Sequence, residues 1–573
     1  MKKTTALILL ILLTQPIVFA QKHAKAPALT EQQRILHVLN RLGFGARPGD
    51  VERVKAMGLE NYINQQLNPE KISDSAAENK LADLSTLNMT TAELYGKFPQ
   101  PGQLLRQLQA RGMMPENNNQ TQAQTQTQTQ TQPPANPLDN EKNREAIEKY
   151  YRENGLQRPQ RIIAELQASR ILRAVYSERQ LQEVMVDFWT NHFNVFANKG
   201  ADRWLLTSYD RDTIRPFALS KFSQLLEATA KSPAMLFYLD NFQSVSPDAG
   251  GGRLRPQQQR RGINENYARE LMELHTLGVD GGYTQKDVQE VARCFTGWTI
   301  FQPRGGAGVA AVVPPRGLGL ENNPRFGQAM QRPAGTFFFN TRAHDDGEKL
   351  VLGHKIPSGG GMKDGLTVLD ILAHHPSTAK FIATKLVRHF VADNPPPALV
   401  DRVAETFRKT DGDIRETLKT IFFSKEFNST EAYRVKIKRP FELVVSAIRT
   451  LGADTNGGPG THQWIARMGE PLYGFQTPNG YSDSAESWVN TGGLLERMNF
   501  GLALAGNRVQ GTSVNLAKTN GDQSKVLDEY LKTILAGEIS ASTKEALMKQ
   551  LGQSDPPTKV VGLILGTPEF QRQ

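Results

Sequence analysis

The segment from Asn264 to Trp298 constrains the fold more than any other stretch, because it predicts two helices joined by a glycine turn. In its first half, apolar and polar residues separate onto two arcs when they are placed about 100° apart. Asn264 is typical of a helix start, and Gly278 is typical of a helix end. Thr284 with Asp287 predicts a capping box for the second helix. The pattern therefore predicts a helical hairpin.

The polar arc of the first predicted helix carries three glutamates and one arginine, and it is the first candidate site. Such a face could hold a hard cation, or one glutamate could act as a base with a raised pKa. The alternative is a solvated face on which the arginine pairs with acids one turn away. The catalytic candidates are Glu270 and Glu273, and the binding candidates of the hairpin are Asn266, Arg269, His275 and Trp298.

Three histidines have both a functional and a structural interpretation. His275 lies on the apolar arc near the helix end, where an imidazole can also satisfy terminal carbonyls. His192 follows Asn191 among aromatic residues, so it is either a ligand or general base, or a satisfied core histidine. His344 precedes Asp345 and Asp346 in a loop that offers nitrogen and oxygen ligands, although Asp-Asp-Gly is also ordinary turn chemistry.

Convergence of these groups would make a nitrogen/oxygen site of the kind that holds Zn, Mn or Fe. His192, His344 and Asp345 are therefore the metal-ligand candidates, and one divalent ion is the cofactor that the pattern allows. His192 is also a catalytic candidate, and Asn191 is a binding candidate. The chain has no G-x-S-x-G, no H-E-x-x-H and no P-loop, so ordinary nucleotide chemistry is unsupported.

Residues 1–20 have the pattern of a secretory signal peptide, with Lys2 and Lys3 before an apolar run and a small-residue cleavage site ending at Ala20. The apolar run is too short to cross a bilayer. We therefore expect an exported protein, periplasmic or extracellular, whose mature chain has no transmembrane segment. Cys294 is the one cysteine, so no internal disulfide can form.

The formal charge of +10 falls to +8 once the two signal-peptide lysines are removed, since residues 1–20 contain no acids. Part of this charge lies in residues 250–262, which lack interleaved aromatic side chains. That composition favours a solvated basic loop over a nucleic-acid interface. An acidic partner, a polysaccharide or a membrane surface is compatible with the positive charge.

The periodicity along the chain predicts a mainly α fold. We expect a large multi-helix, bundle-like domain with one short β-hairpin near 336–352 and several disordered insertions. The predicted hairpin pairs residues 336–340 with 349–352, and the central helices should contact both it and residues 187–196. The predicted divisions are a signal peptide (1–20), an N-terminal helical part (21–112), an irregular Gln/Thr/Pro insertion (113–140, with its tract at 115–137), a central helical domain (141–510) and a C-terminal helical part (511–573).

The hairpin segment and five further stretches resemble a large bacterial family known as domain of unknown function 1800 (DUF1800). The supporting stretches include DFWTNHFNVF (187–196), FNTRAHDDGEKLVLG (339–353) and HPSTAKFIATKLVRHFV (375–391). The chain departs from the family pattern at Thr190, where a second histidine is common. It also departs at TPNGYSDSAESW (477–488), where the family usually reads PPNVAGW. Members are often encoded beside an exported sulfatase-like protein, so the resemblance implies such a partner.

Two functions follow as hypotheses from these observations. The first is a metal-assisted hydrolase that acts on an envelope or extracellular polymer. The second is a non-catalytic helical accessory protein for an exported sulfatase-like partner. Convergence of the candidate side chains in one pocket would favour the enzyme, and their dispersal over separate surfaces would favour the accessory role.

Overall fold

The computed structural model describes residues 28–110, 112, 138, 140–247, 262–301, 332–516, 522–552 and 555–573. The predicted signal peptide, the Gln/Thr/Pro tract, and most of residues 250–262 and 302–335 lie outside these ranges. None of the helices within them is both long enough and apolar enough to cross a bilayer.

The predicted mainly α fold is confirmed, and helices account for most of the described chain. Before the central hairpin these are α1 (Glu31–Arg41), α2 (Asp50–Met57), α3 (Leu59–Gln66), α4 (Ser75–Leu81), α5 (Thr91–Lys97), α6 (Pro101–Ala110), α7 (Glu141–Glu153), α8 (Gln160–Tyr176), α9 (Gln180–His192), α10 (Asp202–Ser208), α11 (Phe222–Lys231) and α12 (Pro233–Tyr238). The hairpin itself is α13 (Glu265–Met272) and α14 (Gln285–Cys294). After it come α15 (Met362–His374), α16 (Pro376–Phe390), α17 (Pro397–Lys409), α18 (Ile414–Phe422), α19 (Pro440–Thr450), α20 (Pro459–Arg467), α21 (Thr491–Ala505), α22 (Gln523–Leu535), α23 (Ala541–Gln550), α24 (Pro557–Leu565) and α25 (Pro568–Gln571).

One continuous hydrophobic core joins the N-terminal, central and C-terminal helices. It extends from Ile35 to Phe570 along the chain and includes the apolar faces of α13 and α14. The helices therefore pack as layers around a shared interior. The central hairpin lies within this interior, where Tyr267 and Phe295 pack edge to face.

The hairpin begins and turns where its sequence predicts. The Asn264 side chain accepts a hydrogen bond from the Tyr267 backbone N–H at 3.0 Å. Thr284 and Asp287 form the predicted capping box at the start of α14. Gly278 follows the helix end with a φ of 81°, a backbone conformation that glycine adopts without strain. One feature was not predicted: α13 continues as a π-helical turn, Glu273–Leu277.

Three short antiparallel ribbons complete the described fold: β1 (Trp298–Phe301) with β2 (Thr336–Phe339), β3 (Lys349–Val351) with β4 (His354–Ile356), and β5 (Asp454–Thr455) with β6 (Thr512–Ser513). The predicted strand segments are present, but their predicted mutual pairing is wrong. Residues 336–339 pair with the strand that follows α14, and 349–351 pair with the next strand along the chain. Leu352 and Gly353 both have positive φ, the geometry of a two-residue hairpin turn, so β3 closes locally onto β4.

The predicted contacts of the central hairpin are confirmed. On one side, the carbonyl oxygen of His275 lies 3.1 Å from Nε2 of His192, at the end of α9. On the other side, Arg293 of α14 binds Asp345 in the segment between β2 and β3. The hairpin thus links two polar clusters, one at each side.

Candidate functional site

The first polar cluster, here named the Lys385 cluster, consists of Lys385, His192, His275 and Asp483. Pro376 occupies the first turn of α16, and the His375 side chain accepts from the Ser377 N–H, so the helix begins at a defined point. This start places Lys385 opposite the end of α9. Nζ of Lys385 lies 3.0 Å from Nδ1 of His192.

The contacts of His192 determine which of its nitrogens carries the proton. Nε2 faces the carbonyl oxygen of His275, and a carbonyl can only accept, so Nε2 donates. Nδ1 is then an acceptor and receives a hydrogen bond from the Lys385 amine. His192 is therefore a neutral imidazole that orients Lys385. The π-helical turn after α13 presents the carbonyl that fixes this tautomer, and π-helical turns are frequent at functional sites.

Burial sets the ionisation of this cluster. Burial, with added repulsion from Lys385, lowers the pKa of His192 well below its ordinary value and lowers the pKa of His275 to about 3. Burial also lowers the pKa of Lys385, which nearby Asp483 partly restores and Arg388 lowers further. Burial raises the pKa of Asp483, but His389, Arg439 and Lys385 outweigh it and hold that pKa below its usual range. Both histidines are neutral near pH 7, and Asp483 is charged.

Lys385 opens onto a cleft of about 710 Å³, within the size range of small-molecule sites. One wall is α16, where Phe381, Lys385 and Arg388 follow at helical spacing and face the same side. The other wall is the segment from Gly469 to Trp488. His192 and His275 lie behind Lys385 and are not among the side chains that line the cleft.

Aromatic side chains form much of the second wall. The rings of Phe475 and Tyr481 lie 4.5 Å apart, and those of Tyr481 and Trp488 lie 5.9 Å apart. Phe381 faces them from α16, with its ring centroid 5.7 Å from Nζ of Lys385. The cleft therefore combines flat apolar surfaces with two cationic groups.

Asn191 holds the second wall against α9. Its side-chain amide donates to the carbonyl of Tyr481 at 2.8 Å and accepts from the Tyr481 N–H at 2.7 Å. Gly480 precedes this clamp with a φ of 70°, and a Cβ there would lie 2.2 Å from the Asn191 carbonyl oxygen. Only glycine fits this approach. Asn191, a predicted binding residue, thus positions the cleft wall through its own side chain.

A second anchor fixes the far end of the same wall. Lys436 donates to the carbonyl of Asp483 at 2.9 Å, and it also pairs with Asp393. Asp393 in turn accepts from the Ala485 N–H at 2.8 Å. Asp483 is only 15% exposed and lies 3.8 Å from Nδ1 of His389. The wall is therefore held at both ends by hydrogen bonds.

The second polar cluster, here named the His344 cluster, consists of His344, Lys349, Asp364, Asp345 and Arg293. Nδ1 of His344 donates to the carbonyl of Thr296 at 2.8 Å, and Nε2 lies 3.2 Å from Asp364. Lys349 binds the same carboxylate at 2.6 Å. The side chains of Lys349 and Asp364 are 0% and 2% exposed. His344, Lys349 and Asp364 are therefore closed to solvent and bind one another, whereas Asp345 and Arg293 are partly exposed.

Asp345 also has a structural partner in the described chain. Arg293 reaches both of its oxygens, at 2.9 and 3.1 Å, and the Gly347 N–H donates to it. The Arg293 guanidinium outweighs partial burial and holds the pKa of the Asp345 carboxyl below its ordinary value. His344 and Asp345 therefore join the central hairpin to the β2–β3 segment.

The candidates on α13 do not line the cleft. Glu270 and Glu273 are half-buried, and Glu273 accepts a hydrogen bond from the Tyr283 hydroxyl at 2.9 Å. Burial, and then the neighbouring Glu273, raises the pKa of Glu270. Arg269 donates to Gln285 on α14, and Asn266 is exposed. The polar face of the first hairpin helix therefore contacts α14 and is partly exposed to solvent.

Trp298 is a core residue in this structure. Its side chain is fully buried, and its ring packs against Phe295 and Phe337 at centroid distances of 5.0 and 5.3 Å. A Cβ on Gly365 would lie 2.6 Å from the Trp298 ring, so α15 approaches it closely. Any role of Trp298 in binding would be indirect.

The metal-ligand candidates lie in different clusters. His192 belongs to the Lys385 cluster, whereas His344 and Asp345 belong to the His344 cluster. Within the described ranges, no three His, Cys, Asp or Glu side chains are grouped so that they could hold a metal ion. Cys294 is buried, as its sequence context indicates, and burial raises its pKa.

Sequence reasoning missed the residues that face the cleft: Lys385, Arg388, Phe381, Tyr481 and Asp483. A signal for three of them was present, since Phe381, Lys385 and Arg388 recur at helical spacing within residues 375–391. That stretch was interpreted only as a core helix and as support for the family resemblance. The second wall includes residues 477–488, the segment in which the chain departs from the family pattern.

Comparison with known proteins supports one assignment. No curated protein and no solved structure matches the chain. The profile of a family described as protein of unknown function (DUF1800) matches residues 37–572, which is nearly the whole chain. The match covers both cleft walls and both polar clusters, and the protein therefore belongs to the DUF1800 family.

Proposed function

We propose that this exported protein binds an acidic sugar polymer, of the cell envelope or the extracellular space, in the cleft beside α16. One observation carries the proposal. Lys385 and Arg388 both face the cleft, and neither forms an ion pair with a carboxylate of the described residues. Lys385 is bonded to a neutral imidazole, and Nε of Arg388 donates to the carbonyl of Asp393.

Excess positive charge in a partly enclosed cleft, from Lys385 and Arg388 against Asp483, favours an anionic ligand, because low-dielectric walls concentrate the field there. The one carboxylate among the lining residues, Asp483, faces His389 and Arg439 as well as Lys385. The negative charge of Asp483 is therefore partly balanced by groups other than Lys385 and Arg388. A ligand carboxylate can bind the guanidinium through two parallel hydrogen bonds.

The aromatic walls favour a sugar over a small inorganic anion. Phe381 on one side and Phe475, Tyr481 and Trp488 on the other present flat apolar faces. Such faces pack against the C–H surfaces of pyranose rings, while the cations bind acidic substituents. The net positive charge of the chain would further attract a polyanion.

The metal-assisted hydrolase expected from sequence has less support. Its candidate ligands lie in two clusters, and the described residues offer no group of three ligands. Glycoside hydrolysis without a metal ordinarily uses two carboxyl groups. Among the described residues that line this cleft, Asp483 is the only one with a carboxyl group. The metal-assisted reaction stays a prediction, and acidic-ligand binding is the better supported function.

Calorimetric titration of the mature protein with a galacturonate oligomer tests the proposal, with a neutral glucose oligomer as the comparison ligand. We expect the acidic oligomer to bind and its affinity to fall with added salt. Arg388→Gln and Lys385→Met should each weaken binding about tenfold or more, equivalent to about 1.4 kcal/mol. Lys380→Met is the matched control, because Lys380 lies on α16 but is exposed and pairs with Asp401.

Equal binding of the acidic and neutral oligomers, or no effect of either cleft substitution, would contradict the proposal. Failure of the wild type to bind any acidic oligomer, together with capture of a purified sulfatase-like protein, would instead favour the accessory role.

A further inference from the structure

We infer that the cleft cleaves its acidic polymer by β-elimination, with Lys385 as the base that removes the proton beside the sugar carboxylate. The inference rests on the proposed function and adds to it a substrate class and a reaction. The substrate is a polyuronate whose glycosidic oxygen lies β to the carboxylate-bearing carbon. Such a polymer breaks without water, metal or a second carboxyl group.

The geometry around Lys385 suits a general base. One N–H of the amine is directed to Nδ1 of His192 at 3.0 Å, and the Nε2–H of His192 is fixed by the His275 carbonyl. With that N–H committed, the remaining substituents of Nζ, including the lone pair of the neutral amine, are turned away from His192 and are available to the cleft. His192 is thus a positioning residue, and it keeps the base oriented before substrate arrives.

The environment of Lys385 also increases the fraction of neutral amine. Burial lowers the pKa of Lys385, and Arg388 lowers it further, while Asp483 acts in the opposite direction. A base whose pKa lies nearer the working pH is more effective than a solvated lysine. His192 and His275 are neutral behind it, so neither competes for the proton.

Arg388 supplies the second requirement of elimination. Removal of a proton beside a carboxylate places negative charge on that carboxylate, and the charge must be stabilised in the transition state. Arg388 lies three residues beyond Lys385 on the same face of α16. Its terminal nitrogens form no hydrogen bond or ion pair with the described residues, so they are open to a ligand.

The step balances without an added reactant. Neutral Lys385 takes the proton, and the electron pair of that C–H bond moves to the carbon that bears the glycosidic oxygen. The double bond forms as the carbon–oxygen bond breaks. In polymannuronate the abstracted hydrogen and the leaving oxygen lie on one face of the ring, so this oxygen takes the proton back from the Lys385 ammonium. In polygalacturonate they lie on opposite faces, so solvent protonates the leaving oxygen and the ammonium returns its proton to solvent. The products are a shortened chain and an unsaturated sugar, and their masses sum to that of the substrate.

Hydrolysis would need groups that this cleft does not present. A general acid must be protonated at the working pH, whereas His389, Arg439 and Lys385 hold the pKa of Asp483 below its usual range. The described residues that line the cleft include no second carboxyl group to activate water. A single amine that takes and returns one proton fits the groups that line it.

The test incubates the mature protein with polygalacturonate and, separately, with polymannuronate. Ultraviolet absorbance detects the unsaturated product, and mass spectrometry tests whether water has been added. We expect unsaturated fragments without added water. Lys385→Arg keeps the charge but cannot act as a base, so the rate should fall about a hundredfold to ten-thousandfold while oligomer binding is kept. Lys380→Arg should react like the wild type.

The pH profile provides a readout that a structural role would not change. The rate should rise with pH and level off below 10.5, the ordinary value for lysine, because Lys385 must be neutral. The charged groups facing it are Asp483 and Arg388, and His192 and His275 stay neutral over that range.

The outcomes separate this inference from the proposed function. Oligomer binding with no cleavage, or cleavage with added water, would overturn the elimination and leave acidic-polymer binding in place. Full activity of a folded Lys385→Arg protein would overturn Lys385 as the base. Absence of both binding and cleavage would overturn the two proposals together.

Discussion

The Lys385 cluster and the His344 cluster contain the same kinds of residue, yet the structure uses them differently. Each has a lysine, at least one histidine and an aspartate, and each contacts the central hairpin. In the His344 cluster, Asp364 binds both His344 and Lys349, and these three side chains are buried. In the Lys385 cluster, the lysine bonds to a neutral imidazole and opens onto a cleft.

The difference shows that residue type does not distinguish a site from a structural element. What distinguishes a site is hydrogen-bonding groups that have no protein partner and that lie beside an accessible cavity. The polar groups of the His344 cluster bind one another, so their hydrogen bonds and ion pairs stabilise the central hairpin and the β3–β4 ribbon. The Lys385 cluster and the adjacent Arg388 place two cationic groups beside one carboxylate, Asp483, whose charge is also shared with His389 and Arg439. Substitutions in the His344 cluster should therefore lower stability, whereas substitutions in the Lys385 cluster should mainly weaken ligand binding.

The largest effect on stability is expected from Lys349→Met. This change leaves Asp364 buried without its main counter-ion, and an uncompensated buried charge costs about 3–5 kcal/mol. Denaturant unfolding of the mature protein measures the loss. Lys355→Met is the matched control, because Lys355 pairs with Glu348 at an exposed position and should change stability by less than about 1 kcal/mol. Equal losses in the two variants would contradict the structural role of the His344 cluster.

A smaller loss of stability, with a clear loss of binding, is expected from Gly480→Ala. Its Cβ would collide with the Asn191 carbonyl oxygen, and its left-handed backbone costs about 1–2 kcal/mol for a residue with a Cβ. The cleft wall must then move, and acidic oligomers should bind more weakly by calorimetry. Gly537→Ala has a similar φ of 80° but meets nothing within 4 Å. This control should lose similar backbone energy and keep its affinity, and equal affinity in both variants would exclude the clamp.

Lys385→Met should change stability by less than about 1 kcal/mol near neutral pH, since it removes a cation that forms no direct ion pair with a carboxylate of the described residues. The sign of its pH dependence follows from the lowered pKa of Lys385. The folded protein releases this proton at a lower pH than the unfolded chain does. The free energy of unfolding of the wild type should therefore increase relative to that of the Met variant as the pH rises toward 10.5. Denaturant unfolding at a series of pH values measures this difference, and a trend in the opposite direction would contradict burial of the amine.

The smallest effect is expected from Glu270→Gln. Burial and Glu273 raise the pKa of Glu270, so its ionised form is disfavoured in the folded state. The contribution of protonated Glu270 to folding stability is fully present below about pH 4.5, the ordinary pKa of this group. It is lost as the pH rises through the pKa of Glu270 in the folded protein. The Gln variant should be more stable by a few tenths of a kcal/mol at neutral pH, since the group is half exposed. Thermal melts at neutral and acidic pH test this, and a marked destabilisation of the Gln variant at neutral pH would contradict the view that folding disfavours the ionised form of Glu270.

The local structure of the hairpin could be predicted from sequence because its signals act within a few residues. Asn264, Thr284 with Asp287, and Gly278 act on adjacent backbone, and helical periodicity identifies the buried face. The strand pairing could not be predicted, because β1 and β2 are separated by residues 302–335. Two nearby strand-like segments, 336–340 and 349–352, were therefore predicted to pair with each other.

The candidate site could be predicted only in part. His192 and Asn191 were identified as candidates because they lie together among aromatic residues at a predicted helix end, although a satisfied core histidine was the alternative. Lys385, which binds His192, is 193 residues away, and Tyr481, which binds Asn191, is 290 residues away. No local sequence pattern predicts contacts between residues so far apart. His344 has the same local appearance as a functional histidine. Its closure by Asp364 and Thr296 depends on tertiary packing.

The most direct test of the central claim is a crystal structure of Lys385→Arg with a galacturonate oligomer bound. This variant keeps the positive charge and loses the base, so the oligomer should remain uncleaved. We predict that the oligomer lies in the cleft beside α16, with one carboxylate on Arg388 and sugar rings against Phe381 and Tyr481. An oligomer bound at any other surface, with this cleft empty, would contradict the account.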